Sequence, residues 1–294
     1  MFKISKEIRF LIQKALREDI GKGDITTETL IPRTLSGKAH IHVKQKGILC
    51  GGPIALEVFR QVDSKLILKQ KVRDGQKVQK GQVVLFVKGK VQSILKGERV
   101  ALNFFGRLSG VATLTHEFEK RIRGTHAGIY DTRKTTPLWR ELEKYAVRCG
   151  GGQNHRFGLW DEILVKDNHW YAVRKLLQKT HCRYVGDRLK SKLRKGKIPI
   201  EVEVASLKQL SHLLSGDFAP DRILLDNFSV RNLKKAVQMV KRKHQKILLE
   251  ASGGIALSNV REVAKTGVDR ISIGAITHSA PALDVSLTID RIDN

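Results

Sequence analysis

Apolar and polar positions divide the chain into two halves of different rhythm. The opening stretch MFKISKEIRFLIQKALRED predicts an amphipathic helix over Lys6–Arg17. EDIGKGDITTETLIP, with its glycines and Thr/Asp capping residues, reads as a loop. KAHIHVKQKGIL alternates with a period of two, as a strand does, and PIALEVFRQV reads as a helix. LILKQKVRDGQKVQKGQVVLFVKGKV predicts β-hairpins turning at Asp74-Gly75 and Lys80-Gly81. KGERVALNFFGRLSGVATLTHEFEKRI predicts helix broken near Ser109-Gly110.

From about residue 126 the pattern changes to short apolar, β-branched runs alternating with helical segments. The strands are HAGIYDT, EILVKD, IPIEVEV, RILLDN, KILLEAS and RISIGA, and the later units repeat at roughly 22–25 residues, the spacing of βα units in a buried parallel sheet. Each run ends in residues able to do chemistry: Asp131–Lys134, Lys166–Asn168, Glu203, Asp226–Asn227, Ser252–Gly254 and Gly274. Polar groups at successive C-terminal strand ends mark the active face of a β/α barrel. Six clear strands, with room for a seventh, fall short of eight, so an incomplete barrel is expected. The domain division expected is 1–110 and 111–276, with the tail 277–294 packing back on the first domain.

Length and composition narrow the class. A chain of 294 residues, 41% hydrophobic and 29% charged, can bury a full core. No apolar run reaches the ~18 residues of a membrane span, and the N-terminus lacks the small-residue cleavage site of a secretory signal. Cys50, Cys149 and Cys182 are odd in number and far apart in sequence, which argues against a disulfide framework or zinc site and for a reducing, cytoplasmic setting. The net charge of +26 raises nucleic acid as a partner. Much of the excess lies in 183–197 and 231–246, however, and neither stretch carries interleaved aromatics or a reader motif. Solvated Lys/Arg faces explain them better, and nucleic-acid binding is not expected.

The candidate chemistry gathers at the strand ends. Arg133, Lys134, His155, Arg156 and Lys166 form a cationic set among glycine-rich turns, joined in prospect by Arg99 and Arg107 from the preceding helix. Like charges repel and are costly to bury, so such a set points to a ligand with several negative charges. Glu203 and Asp226 each end a strand of their own and suit a magnesium ion, which takes few carboxylates and keeps waters and substrate oxygens; Glu201 shares the face of Glu203 and is the weaker candidate. The turns EASGGI and SIGAITHSA let backbone N–H groups approach a phosphate. A phosphate cradle, a carboxylate pair and a cluster of cations amount to the parts for joining a sugar phosphate diphosphate to a polycarboxylate.

These residues resemble the quinolinate phosphoribosyltransferase family, also called nicotinate-nucleotide pyrophosphorylase (carboxylating). The matching runs GKGDITT, GERVALNF, DTRKTTP, EKYAVRCGGGQNHRFGL, LVKDNH, EVEV, LLDNF, EASGGI and IGAITHSA fall in family order and span most of the chain. The resemblance implies an N-terminal α/β sandwich plus an incomplete, about seven-stranded α/β barrel, the type II phosphoribosyltransferase fold. It implies homo-oligomers, dimers or larger, whose barrel openings face the partner's N-terminal domain. The implied reaction transfers phosphoribosyl from phosphoribosyl diphosphate to quinolinate with decarboxylation, giving nicotinate mononucleotide, CO2 and diphosphate in de novo NAD biosynthesis.

By position, the resemblance has Arg99 contact quinolinate in the neighbouring subunit, and Arg133, Lys134, His155, Arg156 and Lys166 line the quinolinate and phosphoribosyl pocket. Glu203 and Asp226 would hold Mg2+ and the ribose hydroxyls. Ser252, Gly253 and Gly274 would hold the 5-phosphate, with Gly254 in the same turn. Lys134 or Lys166 would supply the final proton. The chain departs from the pattern at Leu138-Trp139, where glycine is more usual, and in a basic segment near 186–196 that reads as a surface insertion. Relatives that use nicotinate, or that are associated with molybdenum, would share the phosphate cradle; the full cationic set favours a dianionic acceptor.

Overall fold

The structure, a computed structural model, describes residues 2–177, 187–188, 191, 198–216 and 218–293. The chain packs into two units: Met1–His116 with Thr136–Gly151 and Ile276–Asn294, and Glu117–Thr135 with Gly152–Ala275.

In the first unit, helix α1 (Lys6–Ile20) is capped by the Ser5 side chain and buries Ile8, Ile12 and Leu16, one stripe at helical spacing. The segment expected to be a loop contains a further short helix, α2 (Ile25–Leu30), because the Asp24 carboxylate accepts the Thr27 N–H at 3.0 Å and so starts a turn. Strands β1 (Ser36–Val43), β2 (Gly47–Ile48), β3 (Ile67–Gln70), β4 (Lys77–Val78) and β5 (Val83–Lys90) surround helix α3 (Gly52–Val62) in sequence. Ala39, Ile41 and Val43 of β1 are fully buried, and two of them face Val87 and Leu85 across the ladder.

The turns at Gly75 and Gly81 are present, both glycines with positive φ. The pairing differs from simple hairpins. β3 pairs with β5, and β4 leaves to pair with β2. Helix α4 (Val91–Arg121) runs unbroken through Ser109-Gly110. The two small residues serve packing there. The buried Ser109 hydroxyl accepts from the Cys50 N–H and donates to the Cys50 carbonyl, each at 2.9 Å, and a side chain on Gly110 would collide with the Pro281 backbone. Helix α5 (Arg140–Cys149) belongs to this unit, and the last strand, β12 (Val285–Asp293), pairs antiparallel with β1 to give the order β12-β1-β5-β3.

The second unit is a parallel sheet of β6 (Gly128–Tyr130), β7 (Ile163–Val165), β8 (Ile200–Val204), β9 (Arg222–Asp226), β10 (Leu248–Ser252) and β11 (Arg270–Ser272), in the order β6-β11-β10-β9-β8-β7. These are the six runs read from the sequence. The seventh position is a single parallel bridge between Tyr130 and Gln153 beside β6. Among the described residues no ladder joins Gln153 to β7, so the sheet stays open, as an incomplete barrel does.

The helices between strands are α6 (Asp167–Leu177), α7 (Leu207–Leu214), α8 (Val230–Lys243), α9 (Val260–Ala264) and, after β11, α10 (Ala275–His278). In α8, Leu233, Ala236, Val237 and Val240 are buried while Arg231, Lys234, Lys235, Lys241 and Arg242 are exposed, so the basic run there is a solvated helix face. Cys182 and most of the basic segment 183–197 lie outside the described residues. Among the described residues no helix is long and apolar enough to cross a membrane.

Candidate active site

The strand-end residues are set by register. Asp226 and Ser252 end adjacent strands directly opposite each other, and Ser252 faces Ser272, which in turn faces Tyr130. Lys166 follows β7, and its Nζ lies 3.2 Å from Glu203 Oε2 on the neighbouring β8. The backbone N–H of Lys166 donates to His169 Nδ1 at 2.9 Å, so His169 orients the residue that carries the ammonium. Arg133 and Lys134 lie in the turn after β6, where Thr132 Oγ1 accepts the Lys134 N–H at 3.0 Å and the Arg133 carbonyl accepts the Thr135 N–H at 2.9 Å. Asp226 Oδ2 accepts from Asn227 Nδ2 at 2.8 Å.

His155 and Arg156 are held from beneath and are buried. Fully buried Asp131 accepts the His155 N–H at 2.9 Å, and Arg156 Nη1 donates to the Glu162 carbonyl at 3.1 Å. Burial, and then the nearby Arg133 charge, lower the Arg156 pKa, so the structure does gather these two cations. The Arg156 N–H donates to His155 Nδ1 at 2.8 Å, so the neutral ring carries its proton on Nε2, facing Glu201 at 3.0 Å and Glu250 at 3.3 Å, and a second proton on Nδ1 displaces the Arg156 hydrogen bond. Burial opposes a second proton on the ring. Hydrogen bonding and charge from Glu201 and Glu250 outweigh it and raise the pKa to about 9.

Those two carboxylates belong to a buried ionic layer one step deeper in the sheet. Arg270 Nε lies 2.8 Å from Glu250, Arg222 pairs with Glu162, and Arg222 Nε approaches Glu201 at 3.9 Å. With His155 protonated, three carboxylates meet two guanidiniums and one imidazolium, and the set is neutral. Burial, with repulsion from Glu250, raises the Glu201 pKa. Burial works in the same sense on Glu250, but His155 and Arg270 prevail and lower it. The Arg270 guanidinium also stacks 3.8 Å from the Tyr130 ring centroid.

Ser252, Gly253 and Gly254 line a cavity of about 320 Å³ together with Asn227, Ser229 and Asn259. Gly253 has φ +93 and Gly254 φ +61; a side chain on Gly253 would strike Asn227, whereas Gly254 faces open space and needs only its backbone freedom. Asn227 is itself left-handed at φ 55, and its N–H donates to the Ser252 carbonyl at 2.9 Å, tying the β9 and β10 turns together. The Ser229 cap opens α8 beside this cavity, so backbone N–H groups at a helix start are available to an anion. Gly274 follows β11 and does not line the cavity.

Not every expected residue enters this set. Arg99 is exposed on α4 in the first unit. Arg107 donates to Glu143 and to the Ala280 carbonyl, each at 2.7 Å, and to the Thr277 carbonyl, so it ties backbone together within the first unit. Sequence reasoning passed over Asn259, Glu162, Arg222, Glu250 and Arg270. A signal existed for the last three: a charged residue inside an otherwise apolar β run needs a buried partner. Leu138 adopts φ 66, and the next residue, Trp139, stacks on Phe104 at 4.6 Å.

A parallel α/β sheet whose C-terminal ends present cations, carboxylates and a glycine-rich turn defines a barrel-class protein with an anion-handling face. The chain belongs to the quinolinate phosphoribosyl transferase family: the model of its N-terminal domain matches residues 24–109 and that of its C-terminal domain residues 111–288. The nicotinate-nucleotide pyrophosphorylase [carboxylating] of Mycobacterium leprae is 41% identical over 286 residues, covering 96% of each chain. The solved structure of the nicotinate-nucleotide pyrophosphorylase from Francisella tularensis superposes with a TM-score of 0.86 at 37% identity, over 99% of this chain and 100% of that one. Human nicotinic acid phosphoribosyltransferase, at 9% identity and a TM-score of 0.63 over 99% of this chain and 75% of that one, shares the fold alone.

Proposed function

We propose that the chain is a carboxylating nicotinate-nucleotide diphosphorylase: it transfers phosphoribosyl from phosphoribosyl diphosphate to quinolinate and releases CO2 and diphosphate, making nicotinate mononucleotide for NAD biosynthesis. The observation that carries this reading is the match of both family domains across the chain, with the motif residues gathered on one strand-end face. Quinolinate is a dianion, and Arg133, Lys134, Arg156 and Lys166 supply the cations to bind and orient it, while His155, its ring engaged by Glu201 and Glu250, holds their segment in place from beneath. The turn Ser252–Gly254 takes the 5-phosphate, with Gly274 on the next strand end.

Diphosphate leaves C1 of the ribose, which gains oxocarbenium character. The pyridine nitrogen attacks through its lone pair and needs no general base. The resulting pyridinium stabilises the carbanion formed as the neighbouring carboxylate departs as CO2, so transfer precedes decarboxylation. Lys134 or Lys166 returns a proton to that carbon. Glu203 and Asp226 offer hard oxygen donors on adjacent strand ends, a set that fits Mg2+, and both carboxylates would hold it and the ribose hydroxyls. When bound, the ion neutralises charge on the departing diphosphate. Lys166 Nζ lies 3.2 Å from Glu203 Oε2, so its ammonium is held at the same strand ends, in reach of an anionic substrate there.

The working form is a cytoplasmic homo-oligomer, a dimer or larger, in which exposed Arg99 reaches the quinolinate of the neighbouring subunit. The test is a coupled assay with magnesium, phosphoribosyl diphosphate and either quinolinate or nicotinate. Nicotinate mononucleotide and CO2 from quinolinate alone is the expected result. Product from nicotinate alone, or from neither, overturns the choice of acceptor.

A further inference from the structure

Cys50 and Cys149, 99 positions apart in sequence, come together in the first unit. Their sulfurs and an Asp74 carboxylate oxygen lie within 4.8 Å of one another, and the Cys50 thiol hydrogen-bonds to the Cys149 sulfur. Separation in sequence argued against pairing; the turn into α3 and the end of α5 bring the two thiols into contact.

The trio resembles a metal site, but Asp74 is fully engaged. Its Oδ1 accepts from the Gly52 N–H and Gln70 Nε2, each at 3.1 Å, and its Oδ2 from the Gly51 N–H and the Tyr145 hydroxyl, each at 2.8 Å. With four donors on its two oxygens, Asp74 anchors the start of α3 and is not a spare ligand. The thiols are less committed: the Cys149 sulfur takes hydrogen bonds from Cys50 and Tyr145, and the Cys50 sulfur one from the Gly51 backbone. Cys50 is fully buried and Cys149 half-buried, so an oxidant meets Cys149 first. The hydrogen bond from Cys50 holds Cys149 below the ordinary thiol range, while burial pushes Cys50 up. The pair thus has an accessible nucleophile and a protected resolving thiol behind it.

We propose that Cys50 and Cys149 form a reversible dithiol–disulfide pair, and that closing it disturbs the segment that carries His155 and Arg156. With hydrogen peroxide, the Cys149 thiolate attacks one peroxide oxygen, giving a sulfenic acid and hydroxide. The Cys50 sulfur then attacks the sulfenic sulfur, the S–S bond forms, and water leaves. Overall, two thiols and one peroxide become one disulfide and two waters. A disulfide requires the sulfurs to close to about 2.05 Å. The Cys50 backbone is clamped at both N–H and C=O by Ser109, so the movement falls on Cys149. Cys149 leads through Gly150, Gly151 and Gly152 toward His155, and Gly150 is wedged so that an added Cβ would lie 2.6 Å from Thr115 Cβ. The chain there has little slack to absorb a shift.

The test uses the reduced full-length protein exposed to hydrogen peroxide, then quenched. Intact mass should fall by two hydrogens, and a non-reducing digest should contain a Cys50–Cys149 linked peptide that dithiothreitol abolishes. Cys50→Ala and Cys149→Ala should each lack that peptide. A link through Cys182, or Cys149 carried on to sulfinic acid with Cys50 still a thiol, overturns the pair. The coupling rests on the activity proposed above: oxidised protein should lose about tenfold in kcat/KM for quinolinate, recover with dithiothreitol, and keep full activity after peroxide as Cys50→Ala. A linked peptide with unchanged kcat/KM overturns the coupling. A protein inactive even when reduced fails the functional reading instead, and the mass result stands apart from it.

Discussion

Two charged layers lie on the same face of one parallel sheet, two residues apart along β8, and they are held in opposite ways. In the outer layer Lys166 is about half exposed and shares Glu203 across 3.2 Å. In the inner layer Glu201 and Glu250 have no exposed side-chain surface, and Arg222, Arg270 and His155 close around them. A pair with one partner half in water contributes little to stability, and its lysine can exchange partners with a substrate. A buried set must stay balanced, because removing one member strands a charge away from water. The outer layer can therefore change partners during a reaction while the inner layer keeps its geometry. His155 joins the two, its backbone in the site segment and its ring among the buried carboxylates.

The contrast breaks most directly at Glu250. Glu250→Ala leaves Arg270 and His155 uncompensated and should cost about 3–5 kcal/mol in urea unfolding, while Glu203→Ala should cost less than about 1 kcal/mol. Equal losses would mean that the two layers do not differ in kind. Next in size, Arg133→Ala should raise KM for quinolinate and lower kcat, for about a hundredfold loss in kcat/KM, roughly 2.7 kcal/mol, with the unfolding midpoint unchanged. Unaltered kinetics would remove Arg133 from the site.

The pH dependence sharpens the role of His155. Its folded pKa of about 9 lies above the ordinary 6.5, so the stabilisation tied to its proton is complete below pH 6.5 and lost as pH rises through about 9. Stability measured across that window should decline, and Glu250→Gln should flatten the decline; a flat wild-type profile would show that the carboxylates do not hold the proton. The smallest effect lies outside both layers. Leu138 occupies a left-handed conformation at φ 66 while exposed, so Leu138→Gly should raise stability by up to about 1 kcal/mol in thermal unfolding. A loss there would mean that the leucine side chain has a packing role of its own.

The six strands of the parallel sheet and the residues at their ends were legible in the sequence, because a buried strand is an uninterrupted apolar run and chemistry shows as polar groups where that run stops. Family membership was legible for a related reason: the motif runs are local and keep their order. Three readings failed where local pattern met distant packing. Ser109-Gly110 looks like a helix break, but in α4 the pair admits the backbone of Cys50 and Pro281. The glycine turns at 75 and 81 look like hairpins, but β3 and β5 pair with each other and β4 pairs elsewhere. Arg107 looks like a site cation and is spent on Glu143 and two carbonyls.

The chain by itself determined which residues end the parallel strands, because alternation, β-branching and turn chemistry act over a few neighbours. Tertiary structure alone decided which charges lie beneath them and which thiols meet. The partners of Glu250 and of Cys50 come from other strands and helices, and neither burial nor a contact across 99 positions leaves a period in the sequence.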